Sequence, residues 1–166
     1  MKTFNQEDLE QTIKDYTNLL YRLCFMTIKN DQDTKDILQE TFIKYMKKAP
    51  SFSSEEHKKA WLIKVSQNKC KDFLRFHNRH KHVSIEEAGD VSYTYQNAAE
   101  NDKEEFELLW NLAPKYRSII ILHYVEGYSM EEVADLLGIT LAAARKRLQR
   151  ARSYVKTEYD KEKNNG

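Results

Sequence analysis

The stretch from residue 141 to residue 156 carries six basic side chains and no acidic one. These are Arg145, Lys146, Arg147, Arg150, Arg152 and Lys156. Guanidinium and ammonium groups bind DNA phosphates and the acceptor edges of bases. In a helix with about 100° per residue, one outward side would hold Ala142, Ala143, Lys146, Gln149, Arg150 and Ser153, with Arg145 and Arg147 at opposite borders. A basic face alone would favour an amphipathic helix whose charges are merely solvated. Together with the capped helix and the glycine turn that precede it, the uninterrupted basic pattern favours a helix that enters a DNA major groove.

Local signals just before this stretch indicate how it is positioned. Ser129 and Glu132 have the spacing of a capping box, which opens a helix. Gly138 permits a sharp turn, and Thr140 can cap a second helix. The first helix would bury an apolar face made of Val133, Leu136 and Leu137. Helix, short turn and helix together predict a helix-turn-helix unit.

Charge is segregated along the chain, although the formal net charge is only +1. Between residues 57 and 82, eight basic residues accompany one acidic residue, and between residues 83 and 107 the proportion inverts. The acidic stretch loses helical periodicity and reads as a linker. It could lie in a basic channel as a mimic of nucleic acid, or it could be a solvated tether.

Apolar residues at three- and four-residue steps predict helices on both sides of this linker. Three predicted helices precede the linker. The first covers about residues 5–29, the second is capped by Asp33 and runs to about residue 48, and the third covers about residues 57–79. The inward residues of the second are Ile37, Leu38, Thr41, Phe42 and Tyr45. Those of the third are Trp61, Leu62, Val65, Phe73 and Phe76. After the linker, one helix ends at Pro114, and the next would bury Tyr116, Ile119, Ile120, Leu122 and Tyr124.

The predicted fold class is therefore all-α, with two small helical domains joined by a flexible acidic linker. We place the domains at residues 1–82 and 103–160, the linker at 83–102, and a fraying polar tail at 161–166. With only four glycines and two prolines in 166 residues, a β-protein with many turns is disfavoured.

Composition argues against several other classes of protein. Cys24 and Cys70 lie in helical patterns without metal-ligand spacing, so buried reduced thiols are expected. No segment resembles a signal peptide or is apolar enough to span a bilayer, so we expect a cytoplasmic protein without membrane insertion. His77, His80 and His82 lack a nearby carboxylate or thiol cluster, and no glycine-rich phosphate loop is present. We expect no metal, cofactor, small-molecule substrate or catalysis by the isolated chain.

Four stretches of the chain resemble the sigma factors of bacterial RNA polymerase, in the extracytoplasmic-function (ECF) group. The stretches are DTKDILQETFIKYM, AWLIKVSQNKCKDFLR, LAPKYRSIIILHYVEGYSMEEVADLLGIT and RLQRAR. The resemblance covers nearly the whole chain and implies that the two domains are sigma region 2 and region 4. It further implies a subunit that brings core polymerase to promoter DNA and helps to melt it.

The resemblance also implies roles for residues in the first domain. Asp33, Asp36, Gln39 and Glu40 would bind the β′ clamp helices of core polymerase, although a solvated helix face is the simpler interpretation of their pattern alone. The loop residues Ser51, Phe52, Ser53 and Ser54 would hold a flipped base of the −10 element. Lys64, Asn68, Lys71 and Arg75 would line the opened strand. Phe52 has no evident core partner in the sequence, which favours a functional role, whereas the spacing of Trp61 favours core packing.

In the second domain, the resemblance implies that the basic helix reads the −35 element and that an apolar groove holds the β flap. The residues that would contact DNA are Ala142, Ala143, Arg145, Lys146, Arg147, Gln149 and Arg150. Relatives often have Gly-Thr-Val-Lys-Ser-Arg where this chain has Ala142 to Arg147, so the preferred DNA sequence cannot be borrowed. The family further implies an anti-sigma factor. The alternative function is a stand-alone helix-turn-helix regulator that binds duplex DNA without polymerase.

Overall fold

The computed structural model describes residues 5–79 and 111–164, and every regular element in those residues is helical. The helices are α1 (Gln6–Ile28), α2 (Asp31–Lys48), α3 (Glu55–Arg79), α4 (Pro114–Ile120), a π-helical segment (Ile121–Val125), α5 (Met130–Leu137) and α6 (Leu141–Asn164). The prediction of an all-α fold is confirmed. The chain divides into two compact units, Met1–Gly89 and Asp90–Gly166. The predicted linker, residues 83–102, lies outside the described residues, and its boundaries stay predictions.

The first unit packs α1, α2 and α3 against one another. The C-cap of α1 is Lys29, which has a left-handed backbone with φ of 60° and donates its amide hydrogen to the carbonyl of Phe25. The cap of α2 is Asn30, whose side chain accepts from the amide of Asp33 at 2.9 Å. The prediction that Asp33 caps this helix is therefore wrong. Asn30 has the extended backbone that a cap requires, and Asp33 already lies in the first turn.

The core of the first unit follows the predicted inward face of α2 but departs from that of α3. All five inward residues predicted for α2 are buried. On α3, Leu62 and Val65 are buried, Trp61 and Phe73 are half-buried, and Phe76 is 59% exposed. Phe76 lies beside Asp33, at the point where α2 begins, so α2 does not continue over its ring. The prediction that Phe76 points inward is wrong for that reason.

Two thiols from different helices meet in this core. Cys24 on α1 and Cys70 on α3 are both free and fully buried, as the sequence predicted. A hydrogen bond to Cys24, together with burial, raises the pKa of the Cys70 thiol well above its ordinary value. The Cys70 thiol therefore stays protonated, and both buried side chains contribute to packing as small apolar groups.

The second unit opens with Pro114 at the first turn of α4, a position that needs no amide hydrogen. The sequence predicted a continuous helix that buries Tyr124, but the last turn is π-helical, and Tyr124 is 52% exposed. A π-helical turn holds an extra residue, so it rotates the following side chains away from the expected face. Ile119, Ile121 and Leu122 supply the buried side chains there.

The helix-turn-helix is present as predicted. Ser129 and Glu132 form both hydrogen bonds of the capping box, at 3.2 and 3.1 Å. Gly138 ends α5 with φ of 66°, a left-handed conformation that suits glycine. The Thr140 hydroxyl accepts from the amide of Ala143 at 3.1 Å and so opens α6. Helix α6 continues to Asn164, beyond the point where we expected the tail to fray. None of the described helices combines the length and apolar character needed to cross a membrane.

Candidate nucleic-acid and partner interfaces

The loop between α2 and α3 carries an aromatic cluster. The ring of Phe52 lies parallel to that of Tyr45, with centroids 6.2 Å apart and planes 3° apart. Trp61 meets Phe52 edge-on at 5.8 Å, and His57 does so at 5.3 Å. The inference that Phe52 lacks a packing partner is therefore wrong. Trp61 is half-buried within the same cluster. It packs against Tyr45 on α2 and against Phe52 in the loop, so the predicted packing role and the loop involve the same side chain.

A cleft of about 370 Å³ opens beside this cluster. It is lined by the four predicted loop residues, together with Glu55 and Lys58. Ser54 opens α3, since its hydroxyl accepts from the amide of His57 at 3.1 Å. The amide of Ser53 donates to Nδ1 of His57 at 3.4 Å. The loop is thus tied to the first turn of α3, and its three serines line the same cleft as Phe52.

Lys58, a cation in the wall of the cleft, was not predicted from the sequence. Its Nζ donates to Oδ1 of Asp8 at 3.2 Å and lies 3.9 Å from Oε1 of Glu55. Burial alone would lower the pKa of Lys58, but hydrogen bonds to Tyr45 and Asp8 outweigh it and raise that pKa above its ordinary value. The ammonium group therefore stays charged. Its place directly after the loop was a usable sequence signal, whereas Asp8, fifty positions away, offered none.

Glu55 also links the cleft to α1. Its Oε2 accepts from the hydroxyl of Tyr16 at 2.7 Å. Burial, and then this hydrogen bond to Glu55, raise the pKa of Tyr16 well above its ordinary value, so the phenol remains a donor.

A polar stripe lies along the middle of α3, from Lys64 to Arg75. At about 100° per residue, the four predicted residues Lys64, Asn68, Lys71 and Arg75 fall within roughly 60° of one another. Lys64, Asn68 and Arg75 are exposed, and Lys71 is half-buried. Eleven residues separate the first from the last, about 16 Å along the helix axis. The stripe can therefore follow several phosphates of one extended strand.

The predicted clamp-binding residues lie in the first half of α2, away from the loop that follows its C-terminal end. Asp33, Asp36 and Glu40 line a groove of about 380 Å³ with Ile37, Lys69, Asp72, Phe73 and Phe76. Gln39 is exposed but is not among the lining residues. Oε2 of Glu40 lies 3.6 Å from Nζ of Lys69. Burial raises the pKa of Asp33, His77 opposes that shift, and Asp36 adds to it.

On α6, the outward residues are placed largely as predicted. Ala142, Lys146, Gln149 and Arg150 are exposed, whereas Ala143 and Arg147 are half-buried. The exposed Arg145 lies 3.8 Å from Oε1 of Glu131 on α5. The opposite side of α6 is buried through Ala144, Leu148 and Ala151. The face centred on Lys146 and Arg150 is thus presented by a helix whose inner side is anchored.

One contact of α6 was not anticipated. The Nε of Arg152 donates to the hydroxyl of Tyr124, and its guanidinium lies 5.4 Å from the centroid of that ring. The π-helical segment makes this contact possible because it turns Tyr124 outward. No sequence signal predicted the pair.

The histidines show no sign of a metal site in the part of the chain that the structure describes. His77 stacks on Phe73 with ring centroids 4.0 Å apart, and residues 5–79 and 111–164 contain no group of metal-ligating side chains. His80 and His82 lie outside those residues.

Comparison with known families and proteins places both units. Residues 12–80 match the family model described as Sigma-70 region 2, and residues 107–155 match Sigma-70, region 4. The chain is 30% identical to the RNA polymerase sigma factor CarQ of Myxococcus xanthus, over 74% of this chain and 72% of CarQ. It is 28% identical to the RNA polymerase sigma factor SigV of Bacillus subtilis, over 90% of both chains. The ECF sigma factor SigW of the same organism is 24% identical, over 95% and 92%.

Two solved structures share the fold. The sigma factor RpoE of Bartonella quintana, solved with the anti-sigma factor NepR, gives a TM-score of 0.69 at 22% identity, over 91% of this chain and 96% of RpoE. CnrH, solved with the cytosolic domain of CnrY, gives a TM-score of 0.63 at 22% identity, over 94% and 90%. Sigma factors are transcription initiation factors rather than classical enzymes. With the helix-turn-helix, the loop cleft and the matched sequence regions in agreement, the chain belongs to the sigma-70 family of RNA polymerase sigma factors, in the ECF group.

Proposed function

We propose that this sigma factor opens its promoters by capturing one unstacked base in the loop cleft and guiding the same strand along α3. The observations that carry the proposal are the cleft beside Phe52 at the start of α3 and the row of Lys64, Asn68, Lys71 and Arg75 further along the same helix. An aromatic ring at the start and cations along the track are the two features that bind single-stranded nucleic acid.

Base capture in the cleft has a direct physical basis. Flipping a base out of the stack costs a few kcal/mol, and stacking on an aromatic ring returns about 1–3 kcal/mol per base. Phe52 supplies the ring, and the hydroxyls of Ser51, Ser53 and Ser54 supply hydrogen bonds that can orient the base. Lys58 supplies a positive charge in the same cleft. A single-stranded segment would thereby be held while the duplex beside it stays open.

The second unit would read the −35 element with the outward face of α6. Ala142 and Ala143 allow close approach to the base edges at the start of the helix, and Arg145, Lys146, Arg147, Gln149 and Arg150 supply donors. Lys146 can reach a phosphate or a base acceptor with a longer charged side chain than the serine found in many relatives. Arg145 would exchange its contact with Glu131, at 3.8 Å, for DNA. An apolar groove of this unit would receive the β flap.

Core polymerase would be held by the acidic face of α2. Asp33, Asp36, Gln39 and Glu40 present carboxylates and an amide to the β′ clamp helices. Complementary charge speeds docking and fixes its orientation. Glu40 would shift from Lys69 to the partner, since one carboxylate oxygen lies within 4 Å of that lysine in the free protein.

We also propose that an anti-sigma factor restrains this protein. RpoE, which shares its fold, was solved with the anti-sigma factor NepR, and CnrH was solved with the cytosolic domain of CnrY. The site of action would be the cytoplasm, where RNA polymerase works. The isolated chain would act by binding polymerase and DNA. It would need no cofactor and no small-molecule substrate, and it would catalyse no reaction by itself.

Run-off transcription tests the proposal. Core polymerase is given fragmented genomic DNA from the host, with and without this protein. We expect discrete new transcripts whose aligned upstream sequences contain two shared elements. A shift of duplex DNA by the protein alone, without new transcripts, would instead support the stand-alone regulator. The Phe52→Leu variant should keep polymerase binding but lose open complexes, measured by permanganate reactivity of unpaired thymines.

A further inference from the structure

We infer that Asp8, at the start of α1, is a positioning residue for the base-binding cleft between α2 and α3. The inference rests on the proposed function of the cleft and adds a residue that does not line it. Asp8 would act through two side chains that shape the cleft, Tyr45 beneath Phe52 and Lys58 in the wall.

The carboxylate of Asp8 joins three helices at one point. Its Oδ1 accepts from Nζ of Lys58 on α3 at 3.2 Å. Its Oδ2 accepts from the hydroxyl of Tyr45 on α2. Thr12, one turn further along α1, donates to the same Tyr45 hydroxyl at 3.4 Å. The two oxygens of one side chain therefore bind the last full turn of α2 and the first turn of α3, the two ends between which the loop is held.

One partner of Asp8, Lys58, lines the cleft, and the other, Tyr45, packs on the cleft residue Phe52. The ring of Tyr45 is parallel to that of Phe52, and the ammonium of Lys58 lies 5.4 Å from the centroid of the Tyr45 ring. Lys58 is only 8% exposed, so few other conformations are open to it. Asp8 thus determines the position of the Tyr45 ring that stacks on Phe52 and the position of the Lys58 ammonium group. A ring held in place before binding loses less conformational entropy when a base stacks on it.

Charge also favours a positioning role. Lys58 has two acidic neighbours, Asp8 at 3.2 Å and Glu55 at 3.9 Å. Without Asp8, the ammonium would turn toward Glu55, which lies at the rim of the cleft and is 73% exposed in its side chain. That movement would draw the cation away from Tyr45 and leave the hydroxyl of Tyr45 without its acceptor on α1.

The experiment uses holoenzyme assembled with full-length variants. Asp8→Asn keeps the shape of the side chain but removes its charge. The matched control is Asp15→Asn in the same helix, because Asp15 is exposed and accepts a local hydrogen bond from Gln11, at 2.8 Å. The probe is a single-stranded oligonucleotide of the non-template −10 sequence with 2-aminopurine at the captured base. Its affinity and fluorescence are measured beside core affinity and affinity for a −35 duplex.

We expect Asp8→Asn to weaken oligonucleotide binding about tenfold, the change that loss of one charge-assisted hydrogen bond produces. Core and −35 affinities should stay within about twofold, as should every property of Asp15→Asn. In a Phe52→Leu background, Asp8→Asn should add little, since both changes affect one aromatic contact. Asp8→Glu should restore part of the binding because it keeps the acceptor charge.

Three results would overturn the inference. Equal losses of oligonucleotide and core binding, with faster hydrogen exchange throughout α1 to α3, would show that Asp8 only stabilises the unit. Full additivity with Phe52→Leu would show that Asp8 acts elsewhere. If Asp8→Asn bound the oligonucleotide normally while Phe52→Leu bound it weakly, the positioning role of Asp8 would be rejected and the proposed function of the cleft would be retained. If Phe52→Leu itself binds normally in active holoenzyme, the proposed function of the cleft fails instead.

Discussion

Lys146 and Arg150 lie one turn apart at the centre of the exposed face of α6, and we expect their joint replacement by alanine to impair promoter use. A direct contact between a basic side chain and a base edge is worth about 1–3 kcal/mol, so each loss should weaken binding to a −35 duplex by about tenfold or more. Affinity for core polymerase should stay unchanged. Binding of holoenzyme to −35 duplex at several salt concentrations measures the effect, and the salt dependence should become shallower.

Lys156→Ala is the control for that pair, because Lys156 is an exposed cation further along the same helix. We expect it to keep −35 affinity close to that of the natural chain. If the double variant lost core binding as strongly as DNA binding, the DNA face would have been placed on the wrong side of α6.

Among the elements, the turn between α5 and α6 depends on the backbone conformation of Gly138. Gly138 has φ of 66°, and a β-carbon in that conformation costs about 1–2 kcal/mol. Gly138→Ala should therefore speed hydrogen exchange of the α5 amides and weaken −35 duplex binding. Gly138→Asn should have a smaller effect, since asparagine tolerates the left-handed region better. Equal effects of the two substitutions would show that the loss arises from side-chain bulk rather than from backbone conformation.

For the whole molecule, we expect the contacts with polymerase and with DNA to be separable by substitution. Asp36→Asn with Glu40→Gln should reduce core affinity, because it removes two carboxylates from the proposed clamp surface. Neutralisation is preferable to charge reversal, since a lysine at position 40 would face Lys69, now 3.6 Å from Glu40. When a saturating concentration of the variant has converted all core polymerase to holoenzyme, the affinity of that holoenzyme for a −35 duplex should change little. Fluorescence titration of labelled core polymerase measures the effect.

Glu10→Gln with Asp15→Asn is the matched control for that pair, as both residues are exposed on α1 and the same number of charges is lost. An equal fall in core affinity in the control would mean that overall charge, rather than the α2 face, attracts polymerase. Unchanged core affinity in Asp36→Asn with Glu40→Gln would remove α2 from the clamp interface.

Helices, caps and the helix-turn-helix could be predicted from the sequence because their causes act within a few residues. The capping box joins Ser129 to Glu132, and Thr140 caps through the amide of Ala143, so the amino-acid types at short spacing are sufficient. The outward side of α6 follows from helical periodicity for the same reason. The prediction that Asp33 caps α2 was wrong although capping is a local interaction. Asn30, three residues earlier, has the extended backbone of a cap and accepts the amide hydrogen of Asp33.

Only the tertiary structure decided what surrounds those side chains, because packing joins residues that are distant in the chain. Phe52 gained its stacking partner from α2, and Lys58 gained Asp8 from fifty positions away. Cys24 and Cys70 meet through the packing of α1 on α3. Tyr124 turned outward because one π-helical turn changed the phase of a helix whose periodicity had predicted burial. The local sequence pattern specifies which face of a helix is apolar. The length, ends and irregular turns of the neighbouring helices decide which side chains of that face are buried.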